Sequence, residues 1–253
     1  MSYDELATRF MNTVLHARPI EGDRLNNYLY ATDVNRCIRQ TYYRMTNTKP
    51  DPSDEERDDK VNWVLESGNA FEWLVTRQMQ YAGLLGMFYR GKARVAEHNL
   101  KISGETDPVV VFEGKQIVAE VKAAHRKEFN AQLEELRNGV VPERYYDQIQ
   151  TYLWLRPDLD LGMLVLLNRD CNYHDTQPMV CHPVERDEQW RNKNWGRIQI
   201  LNKALDKRQA PQREFTVNSW QCKYCKYSLC CRPNGDDSDE VEPNSGNREL
   251  SQQ

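Results

Sequence analysis

Apolar positions along this chain change their spacing from a helical rhythm to a strand rhythm and back. Before residue 94 the spacing is helical: segments 3–16 and 33–45 read as helices, and a long one is expected over 54–82. In the long helix Val61, Leu65, Gly68, Glu72, Val75 and Met79 follow the i, i+4, i+7 rhythm of a buried stripe. Ser53 and Glu56 form a capping box, with Asp54 and Glu55 placed in the first turn where the helix dipole favours them. From residue 94 the period drops to two. R-V-A-E-H-N-L-K-I-S-G alternates, T-D-P-V-V-V-F is apolar, and Q-I-V-A-E-V-K-A is rich in β-formers, with Glu113-Gly114-Lys115 as the turn between the last two. Helices follow over 126–138 and 142–156, separated by a break at Gly139–Pro142. A strand over 162–170 hairpins into 178–184, and a last long helix covers 185–208.

This order gives an α/β domain with helical additions at both ends. At 253 residues the chain is one large domain or a domain with an appended lobe. A hydrophobic share of 39% and a charged share of 28% fit a soluble globular protein. No apolar run reaches membrane-spanning length and the first residues lack a signal peptide, so no membrane is involved and a cytoplasmic location is expected. The net charge of −4 is unevenly spread. The acid-rich segment 51–60 and the tail 235–253 carry more than all of it, which leaves a basic body able to meet nucleic acid. The tail, rich in Asp, Glu, Ser and Asn, reads as disordered.

Candidate chemistry gathers in the strand region. Asp107 precedes one strand, and Glu120 and Lys122 stand two apart on its hairpin partner, so the latter pair share a face. Two carboxylates and a lysine are the set that metal-assisted phosphodiester hydrolysis uses. The acids hold magnesium or manganese, and the ammonium orients the nucleophile or offsets developing charge. An E-x-K triplet alone is weak, and Glu113-Gly114-Lys115 is a decoy assigned to a solvated turn. Gln148 and Tyr152, four apart, share a helix face. Glu72 is a carboxylate inside an apolar stripe and must be paired, protonated or metal-bound; Gly68, a turn earlier, leaves room for a backbone or phosphate. Residues 86–93 look like a phosphate-binding loop, but Ala93 stands where Ser or Thr would hold magnesium, so no ATPase motor is read.

Cysteines mark both chain ends. Cys37 lies in R-C-I-R-Q-T-Y-Y, and Cys222, Cys225 and Cys231 lie in W-Q-C-K-Y-C-K-Y-S-L-C-C. In a cytosolic chain, thiols so spaced point to a tetrahedral zinc or a cubane iron–sulfur cluster that staples the two ends together. Cys171 and Cys181 read as small packing residues in the late hairpin. Tyr42, Tyr43 and Trp220 read as packing beside the cysteines, and His98 and His125 stay unassigned. The bases Arg191, Lys193, Arg197, Lys203, Lys207 and Arg208 make the last long helix a solvated or phosphate-contacting face.

Together G-x-x-D (Gly104, Asp107), E-x-K (Glu120, Lys122), Q-x-x-x-Y (Gln148, Tyr152) and the split cysteines resemble the RecB-type branch of the PD-(D/E)XK nucleases. The resemblance is to its iron–sulfur subgroup, which includes the CRISPR-associated "Cas-four" exonucleases and the AddB nuclease domain. It spans roughly residues 33–232. It implies a restriction-endonuclease-like core, a mixed central β-sheet flanked by helices, over 54–184. An N-terminal helical segment over 1–53 and a cluster-binding segment over 185–234 would be clasped by a 4Fe–4S cluster on Cys37, Cys222, Cys225 and Cys231. The family spacing favours Cys231 over Cys230 as the last ligand. It further implies magnesium- or manganese-dependent DNA cleavage, often exonucleolytic on single-stranded or free ends, in a prokaryotic or phage-infected cell, with a protein partner or homo-oligomer possible. Catalytic roles fall on Asp107, Glu120, Lys122, Gln148 and Tyr152, and metal binding on Glu72, Asp107 and Glu120. One departure stands out: family members usually place a histidine where Glu72 stands, and a glutamate there resembles phage recombination exonucleases. Two other readings compete: a CRISPR adaptation nuclease trimming spacer precursors, and a non-catalytic nucleic-acid-binding module with zinc on its cysteines.

Overall fold

The computed structural model describes residues 8–9, 28–34, 36–52, 55–85, 94–172 and 177–232. Two sheets organise them. A small sheet orders β1 (Leu29–Tyr30), β3 (Ile102–Glu105) and β2 (Arg94–Glu97), with β1 parallel and β2 antiparallel to β3. The main sheet runs β4 (Val109–Phe112), β5 (Lys115–Ala124), β6 (Leu161–Asn168) and β7 (Met179–Val184). Its outer pairings are antiparallel hairpins and its central pair, β5 with β6, is parallel. Parallel neighbours need a long crossover, here α3 (Arg126–Arg137) and α4 (Glu143–Leu155).

Alternation along β5 sorts the core into two layers. Val118 faces α3 and α4 with Leu164 and Leu166, packing on Phe129, Ile149 and Leu153. Ala119 and Val121 face the other way with Val165, against Val75 and Met79 of α2 (Glu55–Tyr81). A strand covered on both faces reads as a nearly continuous apolar run, which is how it stands in the sequence. Two glycines are demanded by geometry. Glu113 and Gly114 both take positive φ, 50° and 78°, the backbone of a tight two-residue hairpin turn. At Gly162 a Cβ would lie 2.1 Å from Ile149 Cγ2, so its absence is what lets α4 lie on β6. Gly162→Ala is expected to destabilise the fold by about 1–3 kcal/mol, the usual range for overpacking. A thermal melt would read this as a lowered Tm.

The remaining helices are α1 (Ile38–Met45), α5 (Glu188–Lys207), α6 (Trp220–Lys223) and α7 (Ser228–Cys231). Several expectations are corrected. The helix expected over 33–45 begins only at Ile38, after a 3-10 turn at Ala31–Asp33, because the Ile38 amide donates to Glu214 Oε2 at 2.8 Å. The single strand expected from 94 is two strands joined by a 3-10 turn at His98–Leu100 and left-handed Lys101; Glu97 caps that turn by accepting from the Asn99 amide at 3.2 Å. From Leu65 onward the α2 stripe is buried only towards its C-terminal end: Val75 is buried, but Leu65 is 60% exposed and Glu72 half-buried, since the main sheet packs on Val75 and Met79. Cys171 and Cys181 are exposed and not packing residues. Trp220 is 69% exposed and does not pack beside the cysteines. Most of the expected N-terminal helix, the capping box, the phosphate-loop lookalike and the acidic tail lie outside the described residues. No helix among the described residues is long and apolar enough to cross a membrane.

Candidate active site and thiol cavity

The segment between β3 and β4 lies along β5. Pro108 carbonyl accepts from the Ala119 amide at 2.8 Å, and Asp107 Oδ2 accepts from the Val121 amide at 2.9 Å. These bonds carry a buried Asp107 carboxylate to the stretch of β5 that holds Glu120 and Lys122. Glu120 is fully buried, shares its face with Lys122 as strand parity requires, and forms an ion pair with Lys122 Nζ through Oε1. Its Oε2 has no hydrogen-bond partner among the described residues. Burial first, then the Asp107 charge, push the Glu120 carboxyl from 4.5 up to about 8, against the pull of Lys122; Glu72 adds to the rise. Burial pulls the Lys122 ammonium down, but Glu120 and Asp107 outweigh it and leave the lysine raised.

Helix α4 closes the site from above that face. Gln148 Nε2 donates to the Tyr152 hydroxyl at 3.0 Å, and Tyr152 donates to the Glu105 carbonyl at 3.0 Å. Burial, Glu120 and Asp107 raise the Tyr152 phenol, with Glu72 contributing, so the hydroxyl stays a donor. The structure therefore brings Asp107, Glu120, Lys122, Gln148 and Tyr152 together, and Glu72 reaches the same field from α2. Tyr145 belongs with them: its ring centre lies 5.9 Å from Lys122 Nζ. Sequence reasoning missed it, although Tyr145 precedes Gln148 by one helical turn and so shares its face.

Glu120 sets a pH dependence for the metal-free protein. A carboxyl raised on folding stabilises the native state fully below its unfolded value of 4.5, and that contribution is lost as pH climbs through about 8. The Tm measured in chelator is therefore expected to fall between these limits. Glu120→Gln should flatten the fall.

At the other end of the molecule Cys37, Cys222, Cys225 and Cys231 line one cavity with Arg39, Arg213 and Arg232. Cys230 does not; its thiol instead points to the Tyr227 carbonyl, 3.3 Å away. None of the seven cysteines is in a disulfide. Burial raises the Cys225 thiol to about 11, with the neighbouring charges of Cys37, Cys231 and Cys222 adding to it. Burial also raises Cys231, while Arg39 and Arg213 oppose the rise. The chain ends are tied around this cavity by polar bonds. Arg197 makes a bidentate pair with Glu214, at 2.9 and 3.0 Å, and donates to the carbonyls of Val34 and Arg36. Asp51 Oδ2 accepts from the Ser228 hydroxyl at 2.9 Å and the Leu229 amide at 3.1 Å. Arg197, read from sequence as part of a basic face, is thus a tether. Among the described residues no three His, Cys, Asp or Glu side chains converge closely enough to hold one metal ion.

No protein-family model matches this chain, and no curated protein matches it. Solved structures do. An alkaline exonuclease from Laribacter hongkongensis superposes with a TM-score of 0.51 at 14% identity, over 72% of this chain and 90% of that one. This chain shares that exonuclease's fold. The Laribacter exonuclease in complex with dAMP gives a TM-score of 0.50 at 13% identity over the same shares. SSO0001 matches at 19% identity over 91% of this chain and 96% of that chain, with a TM-score of 0.48. Within this fold the mixed main sheet presents β5 flanked by β4 and β6, with helices on both faces.

Proposed function

We propose that this chain is a divalent-metal-dependent DNA exonuclease of the RecB-type PD-(D/E)XK kind, carrying a structural 4Fe–4S cluster at its tethered ends. The observation that carries the nuclease reading is Glu120. It is fully buried, with one oxygen on Lys122, the other unpartnered among the described residues, and Asp107 near enough to raise its pKa. Burying such a carboxylate is costly and has no role in a core built only for packing. The donor set suits a hard cation: carboxylate oxygens are what magnesium and manganese take. Asp107 and Glu120 would hold it, with Glu72 of α2 acting through a bridging water. Bound there, the ion would polarise the scissile phosphate and lower the pKa of the attacking water.

Lys122, kept charged by Glu120 and resting near Tyr145, offers a fixed positive charge to the oxygen on which negative charge develops. Tyr152, oriented by Gln148, anchors the Glu105 carbonyl and so steadies the segment that ends in Asp107. The likeness in fold to an exonuclease studied with bound dAMP supports DNA as substrate. We assign the nuclease core to 54–184, cleavage to single-stranded or free ends, and a role in recombination, repair or degradation in a prokaryotic or phage-infected cell.

For the cluster, the four thiols that line one cavity are the four that the family pattern selects, with three arginines to offset thiolate charge. A tetrahedral zinc needs sulfurs about 2.3 Å from a single point. The choice of a cluster over zinc rests on the resemblance to the iron–sulfur branch.

Purified protein is expected to degrade labelled single-stranded DNA with manganese and to be inert in chelator. Glu72→Gln should raise the manganese concentration needed for half-maximal cleavage with little change in Tm. Metal-independent cleavage would overturn the metal-dependent mechanism, and no cleavage at any metal concentration would overturn the nuclease reading.

A further inference from the structure

We propose that the outer face of α2 is a stacking track for unpaired DNA bases, made by Trp73, Arg77 and Tyr81; this rests on the nuclease reading and extends it. Residues at i, i+4 and i+8 lie on one helix face and here span about 12 Å along the axis. The Trp73 and Tyr81 rings are 60% and 66% exposed, although α2 buries Val75 against the main sheet. The Arg77 guanidinium carbon sits 5.2 Å from the Trp73 ring centre and 5.3 Å from that of Tyr81. Its Nε donates to the Tyr81 hydroxyl at 2.5 Å. Both rings are thereby held in place while staying open to solvent.

Three observations select nucleic acid as the occupant. First, a cation stands between the two rings, and among the described residues no carboxylate pairs with it, so the track joins two ring faces to a site for phosphate. Second, aromatic rings and guanidinium planes both stack with bases whatever their sequence, which suits an enzyme that degrades DNA indiscriminately. Third, the track begins at Trp73, next to Glu72, whose charge reaches Glu120 and Tyr152. The track therefore starts beside Glu72 in the sequence and runs towards the end of α2.

The test measures binding and cleavage separately. Fluorescence anisotropy of a labelled thymidine oligonucleotide in chelator reads affinity with no turnover. The double variant Trp73→Ala/Tyr81→Ala is expected to bind about ten-fold or more weakly, because each stacked base contributes substantially. Trp73→Phe should keep most of the affinity. With manganese, the double variant should show a raised KM on single strands and a nearly unchanged kcat. Full affinity in the double variant would overturn the track and leave the nuclease reading intact. Track-dependent binding without cleavage by the wild type would sink the nuclease reading alone. If the wild type fails to bind the oligonucleotide but self-associates, and the double variant does not, the face is a protein contact and the proposal is wrong.

Discussion

Glu120→Ala is expected to lower the initial rate of DNA cleavage by about a hundred-fold or more, the usual cost of losing one preorganised electrostatic contributor. Asp107→Ala and Lys122→Ala should do the same. The three act as one unit: Asp107 is bonded to the β5 backbone beside Glu120, and Glu120 holds the lysine. Their effects should therefore be far from additive, with a triple variant little worse than the worst single one. The same substitution should have the opposite effect on stability. Removing a carboxyl that burial has raised to about 8 relieves the metal-free protein at alkaline pH. Glu120→Ala also leaves a void, so Glu120→Gln is the better stability probe. In chelator at pH 8 to 9 its Tm should exceed that of the wild type, a gain that vanishes near pH 5 (about the unperturbed carboxyl range). Wild-type turnover in Glu120→Ala would assign the chemistry elsewhere. A Glu120→Gln protein that melts below the wild type at pH 8 would mean the buried charge is satisfied after all.

Cys37→Ala is expected to abolish the cluster. Protein purified without oxygen should be brown and hold about four irons per chain, the content of a cubane. The alanine variant should be nearly colourless, while Cys230→Ala should keep its iron, since only Cys231 of that adjacent pair lines the cavity. Loss of the bound cluster should also lower Tm, because whatever binds only the native state stabilises it. The Arg197–Glu214 pair and the Asp51 bonds tie the same ends without metal, so Cys37→Ala should still fold. Colourless wild-type protein with one zinc per chain after iron-replete anaerobic expression would replace the cluster by a zinc site. Iron retained in full by Cys37→Ala would remove Cys37 from the ligand set.

Local signals in the sequence determined most element identities. Helices expected over 54–82, 126–138 and 142–156 stand at Glu55–Tyr81, Arg126–Arg137 and Glu143–Leu155, because apolar period and turn residues act within a few positions. Strand parity alone put Glu120 and Lys122 on one face, and helix spacing put Gln148 beside Tyr152. Tertiary structure decided whatever depends on residues distant in the chain. Cys37 precedes α1 and does not lie within it, because Glu214 captures the Ile38 amide from 176 positions away. Arg197 looked like one base among six and became the tether of the chain ends for the same reason. Leu65 kept the rhythm of a buried residue, yet it is exposed, since periodicity records which side of a helix is apolar and not how far the sheet beneath it extends. The unpartnered oxygen of Glu120 was likewise invisible in the sequence. Its burial depends on α4 closing over β5 and β6, and that closure requires Gly162 to carry no side chain.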